Sequence, residues 1–302
     1  MSEQGIGYLS ITAAAALWGT LGIFFHFLIG VYGLDPLQVA FFRAALSAAL
    51  LAVVLALRRP ALLRVRMRDV PFFALFGLLG VAALFVVYAN AVRLTTVATA
   101  AILLYTAPAW VTIIAWPAFG ERLTGAKLLA LVLALVGCAL VSGAYNMAAL
   151  EFDPAGILCG LASGLAYGLY TLFSKHAVRR YSPWTAMFYA LGSGALFLLP
   201  LQPLPRLVAA IRQPVTAIWL LGLALGPTVG AYLLLGVSLQ RLPASVVSIV
   251  ASSETVIAAL LAWGILGQVL APAQALGGVA VFASVLLLQS SAPQHAAPGT
   301  QP

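Results

Sequence analysis

Gly7-Tyr8-Leu9 … Leu17-Trp18-Gly19 returns half a chain later as Gly156-Ile157-Leu158 … Ala166-Tyr167-Gly168, with the same spacing from first glycine to last. Two further pairs follow in the same order. Arg93-Leu94-Thr95 is matched by Arg241-Leu242-Pro243, and Phe119-Gly120-Glu121-Arg122-Leu123-Thr124 by Leu266-Gly267-Gln268-Val269-Leu270-Ala271. Self-similarity at this scale marks a duplicated structural unit. It divides the chain into 1–150 and 151–289, followed by 290–302, a stretch of Ala, Pro, Gln and Ser without periodicity that reads as a disordered cytoplasmic tail.

Apolar runs fill the space between these landmarks. A helix needs about 20 apolar residues to cross a hydrocarbon core about 30 Å thick. Ten segments qualify: 7–29, 36–57, 71–92, 97–118, 125–143, 154–175, 184–200, 215–237, 244–265 and 272–289. The stretches Arg58 to Asp69, Gly143 to Pro154 and Pro203 to Pro214 read as loops. Five spans per half is an odd number, so the second half must enter the membrane the other way up. The predicted fold is all-α and membrane-integral: ten transmembrane helices in two inverted five-helix repeats.

Composition agrees. Of 302 residues, 63% are hydrophobic and 7% charged, where a soluble domain carries about 25% charged residues. A net charge of +8 would point to nucleic acid in a soluble protein. Here its distribution points to topology instead. Eleven of the fifteen Lys and Arg fall in the loops after segments two, four, six and eight, three fall in the opposite loops, and Arg43 lies inside segment two. Basic loops stay cytoplasmic, so both termini are expected inside. Lipid is the expected surroundings, and no nucleic-acid partner is expected. The first apolar run has no Lys or Arg before it, unlike a cleaved signal peptide.

Inverted repeats are a recurring construction of secondary transporters, with the substrate near the midplane between them. Two near-equivalent halves can open to one side or the other, which argues for alternating access. Little favours an enzyme. His26, His176 and His295 make no metal motif, Cys138 and Cys159 sit singly in apolar runs, and there is no Gly-Lys-Ser/Thr phosphate loop. No cofactor or metal is expected. A channel would need a continuous polar lining, which no segment supplies.

Helical spacing selects the candidate site. In segment four Ala98, Ala101, Tyr105, Ala109, Thr112 and Trp116 share a face, and in segment nine Ser245, Ser248, Ser252, Thr255 and Ala259 do. These faces read as cavity lining or as close packing. Trp18, Tyr88, Tyr105, Tyr167, Tyr170 and Tyr232 are expected to line a pocket for flat or amphipathic solutes, with membrane-interface anchoring the alternative. With Ser248 and Ser252 they form the expected substrate site.

Glu254 is the only carboxylate near the middle of a span, and burying a charge there costs at least a few kcal/mol. It reads as a proton site, a partner for a substrate amino group or for Arg43, or a neutral acid bonded to a neighbouring helix. On a regular helix it lies more than about 100° from the Ser248–Ser252 face, so the two are expected to point apart. Arg43 is expected to snorkel outward or to pair with a carboxylate. Glu121 reads as a loop or cap residue. Gly160, Gly164 and Gly168, and likewise Gly222, Gly226 and Gly230 beside Pro227, read as close-packing faces that could slide.

Leu17-Trp18-Gly19, Pro108 in segment four, Gly120-Glu121-Arg122-Leu123-Thr124 and the doubled layout together resemble the EamA family of the drug/metabolite transporter superfamily, over nearly the whole chain. The resemblance implies a multi-pass exporter of the bacterial inner membrane that uses no ATP. Its implied substrates are small molecules, often amino acids or related metabolites, with aromatic amino-acid exporters in the group; monomer or weak dimer is the expected state. Export of other metabolites or cationic drugs by proton antiport is the alternative. The chain departs from the family pattern twice: Glu254-Thr255 stands where the family has Glu-Pro, and Gly267-Gln268 where it has Gly-Glu.

Overall fold

Most long helices begin where the sequence provides a stop for the preceding chain. Asp35 caps the second by accepting from Leu37 N at 2.8 Å, Asp153 caps the sixth through Gly156 N at 2.8 Å, and Ser182 caps the seventh through Thr185 N at 3.1 Å; proline follows each cap. Such caps satisfy amides that a helix start leaves free, and proline costs nothing at that position. The structure, a computed structural model, describes residues 2–291. The expected tail lies outside them apart from Ser290 and Ser291, the former ending the last helix.

Nine helices among the described residues are long and apolar enough to span: α1 (Glu3–Val31), α2 (Pro36–Arg58), α3 (Met67–Leu94), α4 (Val97–Phe119), α6 (Pro154–Ala177), α7 (Pro183–Leu201), α8 (Pro214–Arg241), α9 (Ala244–Leu266) and α10 (Pro272–Ser290). Between α4 and α6 lies α5 (Gly125–Val141), apolar and 17 residues long, or about 25 Å at 1.5 Å per residue. Leu57, Ile113, Trp116, Val132, Leu158 and Ile218 turn outward along these helices. Lipid asks for that surface, since it rewards apolar contact and supplies no hydrogen bonds. One expectation fails. The stretch Pro203 to Pro214 is not a loop throughout: Leu204–Arg212 forms a short helix, because its Leu207 and Ala210 bury against Leu28, Leu34 and Val39.

The halves pack with reciprocal contacts. α1 lies on α8 and α9, and its mate α6 lies on α3 and α4; α2 meets α7, α4 meets α9, and α5 meets α10. That is the contact pattern of a pseudo-two-fold axis between inverted repeats. Irregular backbone repeats as well. α3 carries a π-helical stretch at Phe76–Ala83 and α8 one at Ala224–Gly230. α4 breaks between Val97–Leu104 and Ala107–Phe119, and α9 breaks between Ala244–Ala251 and Glu254–Leu266.

The two breaks have different causes. In α4, Pro108 lacks the N–H that would bond back one turn. In α9 the matching residue is Thr255, and the break persists without proline. There Ser253 Oγ donates to Val250 O at 2.8 Å and Thr255 Oγ1 to Ser252 O at 2.9 Å, so hydroxyls occupy carbonyls that the helix would otherwise use. Thr106 does the same in α4, donating to Leu103 O at 2.6 Å.

The glycine runs prove unequal. Gly160, Gly164 and Gly168 all face the α4 break; a Cβ on Gly164 would stand 2.4 Å from Thr106 Oγ1 and 2.7 Å from Leu103 O. In α8, by contrast, Gly226 has nothing within 4 Å, so that run is not one packing face. The π turn at Pro227 rotates it off register.

Candidate functional site

The breaks in α4 and α9 face each other across a central cavity. Its wall takes Trp18 from α1, Tyr105, Ala107 and Pro108 from α4, Tyr167 and Thr171 from α6, Leu235 from α8, and Ser248, Ala251, Ser252 and Glu254 from α9. Free space at its centre is only about 10 Å³, roughly the room one water requires. A metabolite can be held there only after the walls move apart.

Ser248, Ser252 and Glu254 meet in one wall, contrary to the helical-wheel expectation. The expectation assumed an unbroken helix. The interruption at Ser252–Ser253 resets the turn and swings Glu254, first residue of the outer half-helix, back toward the serines. In α4 the matching position is Ala107, which lines the same cavity. The symmetric architecture therefore carries a charge from one half only. Glu254 is buried, and Tyr167 Oη lies 3.4 Å from both its carboxylate oxygens.

Arg43 does not snorkel, and finds no carboxylate among the described residues. It is buried in α2 at 6% exposure, its Nε donating to Thr228 Oγ1 at 3.0 Å and its Nη2 to Tyr232 Oη at 3.4 Å. Thr228 is available because it sits in the π turn of α8, from which it also donates to Leu223 O at 2.7 Å. The guanidinium stands over the rings of Phe85 and Tyr232, 5.7 and 5.5 Å from their centroids. Arg43, Gly80, Leu84, Phe85, Leu191 and Tyr232 line a second, narrower cleft. Thr228→Val is expected to lower stability by about 1–3 kcal/mol, the cost of leaving a buried donor unsatisfied, with Thr228→Ser close to wild type; thermal midpoints in detergent check it.

The remaining aromatics divide. Trp18 and Tyr232 meet edge to face at 5.4 Å, so they form the partition between cavity and cleft. Tyr170 is buried behind the partition, 4.6 Å from Tyr232 and 5.0 Å from Phe76 between ring centroids, and lines neither space. Tyr88 is half-buried and also lines neither. The α4 stripe dissolves at the break: Trp116 faces outward at 59% exposure, while Thr112 turns back to Pro108 O. Within the α9 stripe, Ser245 and Thr255 serve other contacts, with Glu121 and Cys138. Thr171 and Thr228 escaped sequence reasoning. Thr171 follows Tyr167 by one helical turn and was legible; Thr228 depends on the π turn and was not.

At the end of the bundle where the basic loops gather, Glu121 and Glu3 tie the first half to the second, and Lys175 ties helices within the second. Glu121 accepts from Ala244 N at 2.5 Å, from Ser245 N at 3.3 Å and from the Ser245 hydroxyl, and pairs with Lys127 at 3.5 Å. Lys175 donates to Leu239 O and Leu242 O at 2.5 and 2.8 Å, and Glu3 pairs with Arg241 at 2.8 Å. Glu121 is thus a cap, as read, but for a helix of the other half. The N-cap residue of α9 is Pro243, which has no capping side chain; the equivalent N-cap of α4 is Thr96, which bonds Thr99 N itself at 3.1 Å. Gln268, the counterpart of Glu121, is exposed.

Two inverted helical halves around a central cavity are a recurring construction of secondary transporters. The chain belongs to the EamA-like transporter family, whose pattern it matches twice, over residues 5–143 and 154–290. An uncharacterized transporter of Archaeoglobus fulgidus is 34% identical over 93% of this chain and 95% of its own length. A probable terminal-alkyne amino-acid exporter of Streptantibioticus cattleyicolor is 30% identical over 86% and 84%. A crystal structure superposes with a TM-score of 0.79, covering 94% of this chain and 96% of its own, at 18% identity, and so shares the fold.

Proposed function

We propose that this protein is a secondary exporter or facilitator of small metabolites, amino acids first among them, acting by alternating access in the bacterial inner membrane. The observation that carries the reading is the central cavity at the junction of the halves, walled by helix breaks from both. Its near-closure to about the size of one water, and the polar ties at the basic end, fit an occluded state with the cytoplasmic side shut. The name of the Streptantibioticus relative supports amino acids as the class. Residues 1–150 and 151–289 are the two moving units, no cofactor takes part, and the working unit is a monomer or weak dimer.

A second reading concerns energy. Glu254 is a buried carboxylate with no cation within 4 Å among the described residues, which supports a proton carried in exchange for substrate, amino acid or cationic drug alike. Counterflow in proteoliposomes tests both. Vesicles loaded with unlabelled amino acids, nucleobases or organic cations are expected to accumulate a few related labelled solutes. Failure of the whole panel with folded protein would overturn the amino-acid reading. Glu254→Gln is expected to lose the response to an imposed pH gradient; an equal response would remove the proton role.

A further inference from the structure

Two opposite charges lie inside the spans without an ionic partner among the described residues. Glu254 meets only neutral hydroxyls, those of Tyr167 and Tyr105, and no cation within 4 Å, and of the five N–H donors on the Arg43 guanidinium two have protein acceptors among the described residues. Leaving charges so placed is expensive in a bilayer, and groups that remain there mark substrate or ion paths. The two residues do not pair with each other. Glu254 lies about 15 Å along α9 from its basic end, and Arg43 about 10 Å along α2 from the opposite end. In a core about 30 Å thick they differ in depth by roughly 5 Å. Between them stands the Trp18–Tyr232 partition: Trp18 shares the cavity with Glu254, and Tyr232 bonds Arg43.

We propose that Arg43 and Glu254 are the two poles of one substrate site, Arg43 taking the carboxylate and Glu254 the ammonium of a zwitterionic α-amino acid, whose Cα lies along the edge of the Trp18–Tyr232 pair. This rests on the amino-acid reading above and deepens it. Two charge-assisted hydrogen bonds of about 2.8 Å, one at each end, with the Cα between them, cover the difference in depth. The guanidinium fork suits a planar carboxylate, and its stacking on Phe85 and Tyr232 fixes the direction of the fork. The bound zwitterion supplies each protein charge with the counter-charge it lacks, so the loaded site is neutral pair by pair. A molecule with only one of the two groups leaves one buried charge unmatched. The side chain of the substrate then projects toward Tyr105 and Ser248, where the wall is aromatic and hydroxyl-bearing.

The test uses the full chain in proteoliposomes, with counterflow of labelled phenylalanine and competition by unlabelled phenylalanine, phenethylamine and 3-phenylpropanoate. Wild type is expected to be inhibited at least tenfold more weakly by either half-molecule than by phenylalanine. Arg43→Gln should bring phenethylamine level with phenylalanine while 3-phenylpropanoate stays weak. Glu254→Gln should do the reverse. Arg43→Lys keeps the charge without the fork and should give an intermediate ratio, which serves if the glutamine variant does not fold; folding is checked by monodispersity. Unchanged ratios in the variants, or an equal loss for all three competitors, would overturn the two-pole site and leave the transporter reading standing. No amino-acid counterflow by folded wild type would overturn the amino-acid reading, and the two-pole site with it.

Discussion

Glu121→Ala is expected to lower the stability of the protein by about 3 kcal/mol and to open its basic end. The size follows from what the carboxylate holds. Removing it leaves the Ala244 and Ser245 amides without an acceptor and strands Lys127, whose side chain is only 9% exposed. An unsatisfied buried amide costs about 1–3 kcal/mol, and breaking a buried ion pair about 3–5 kcal/mol, part of which Lys127 recovers by reaching for water. Pro243 cannot compensate, because its side chain carries no acceptor for those amides. The thermal midpoint in detergent should fall by about 5–10 °C. Opening is read separately. In a background with Cys138 and Cys159 replaced, a cysteine at Ser248 should react faster with a membrane-impermeant thiol reagent from the basic side once Glu121 is gone. A fall in midpoint with unchanged labelling would reduce Glu121 to a structural cap. Gln268→Ala, at the counterpart position, should change neither measurement, since Gln268 is exposed and Thr96 caps its own helix.

Gly164→Leu should be more damaging still. The first atom added, Cβ, lands within 2.7 Å of the Leu103 carbonyl oxygen and 2.4 Å of Thr106 Oγ1, both at the α4 break. Neither neighbour can yield cheaply: one is backbone, and the other is fixed by its bond to Leu103 O. Overpacking in a tight interior costs about 1–3 kcal/mol even where neighbours adjust, and more where backbone must move. Loss of monodisperse protein is the expected result for leucine, with Gly164→Ala folded but lowered in midpoint. Gly226→Ala provides the contrast, since open space surrounds that position; it should leave the midpoint near wild type. If Gly164→Leu purified with an unchanged midpoint, the close approach of α6 to α4 would not exist in the membrane.

Much of the architecture was legible from residue order. Apolar runs of spanning length, the alternation of basic loops and the doubled Leu-Trp-Gly and Gly-Glu-Arg landmarks are local or additive signals, and they carry the spans and the repeat without any knowledge of packing. The candidate site was legible in part. Trp18, Tyr105, Tyr167, Ser248 and Ser252 share the lining of one cavity, and Glu254 joins them there against the helical-wheel expectation. Tyr88 and Tyr170 do not, because helical spacing gives the face of a residue but not how far that face stands from the centre. The short helix after Pro203 was hidden because its two buried residues acquire their meaning only from Leu28 and Val39 of other helices.

The sequence by itself determined that this chain spans a membrane many times, that its halves are inverted copies, and that one acid and one base lie deep within the spans. Hydrophobicity per residue and the cost of buried charge suffice for each of those statements. Only the tertiary structure decided where the deep charges point. A break of one turn at Ser252–Ser253 returns Glu254 to the serine face, and a π turn at Pro227 brings Thr228 to Arg43. Both are backbone irregularities whose direction depends on which hydroxyls and which neighbouring helices take up the released hydrogen bonds, and no periodicity in the sequence records that choice.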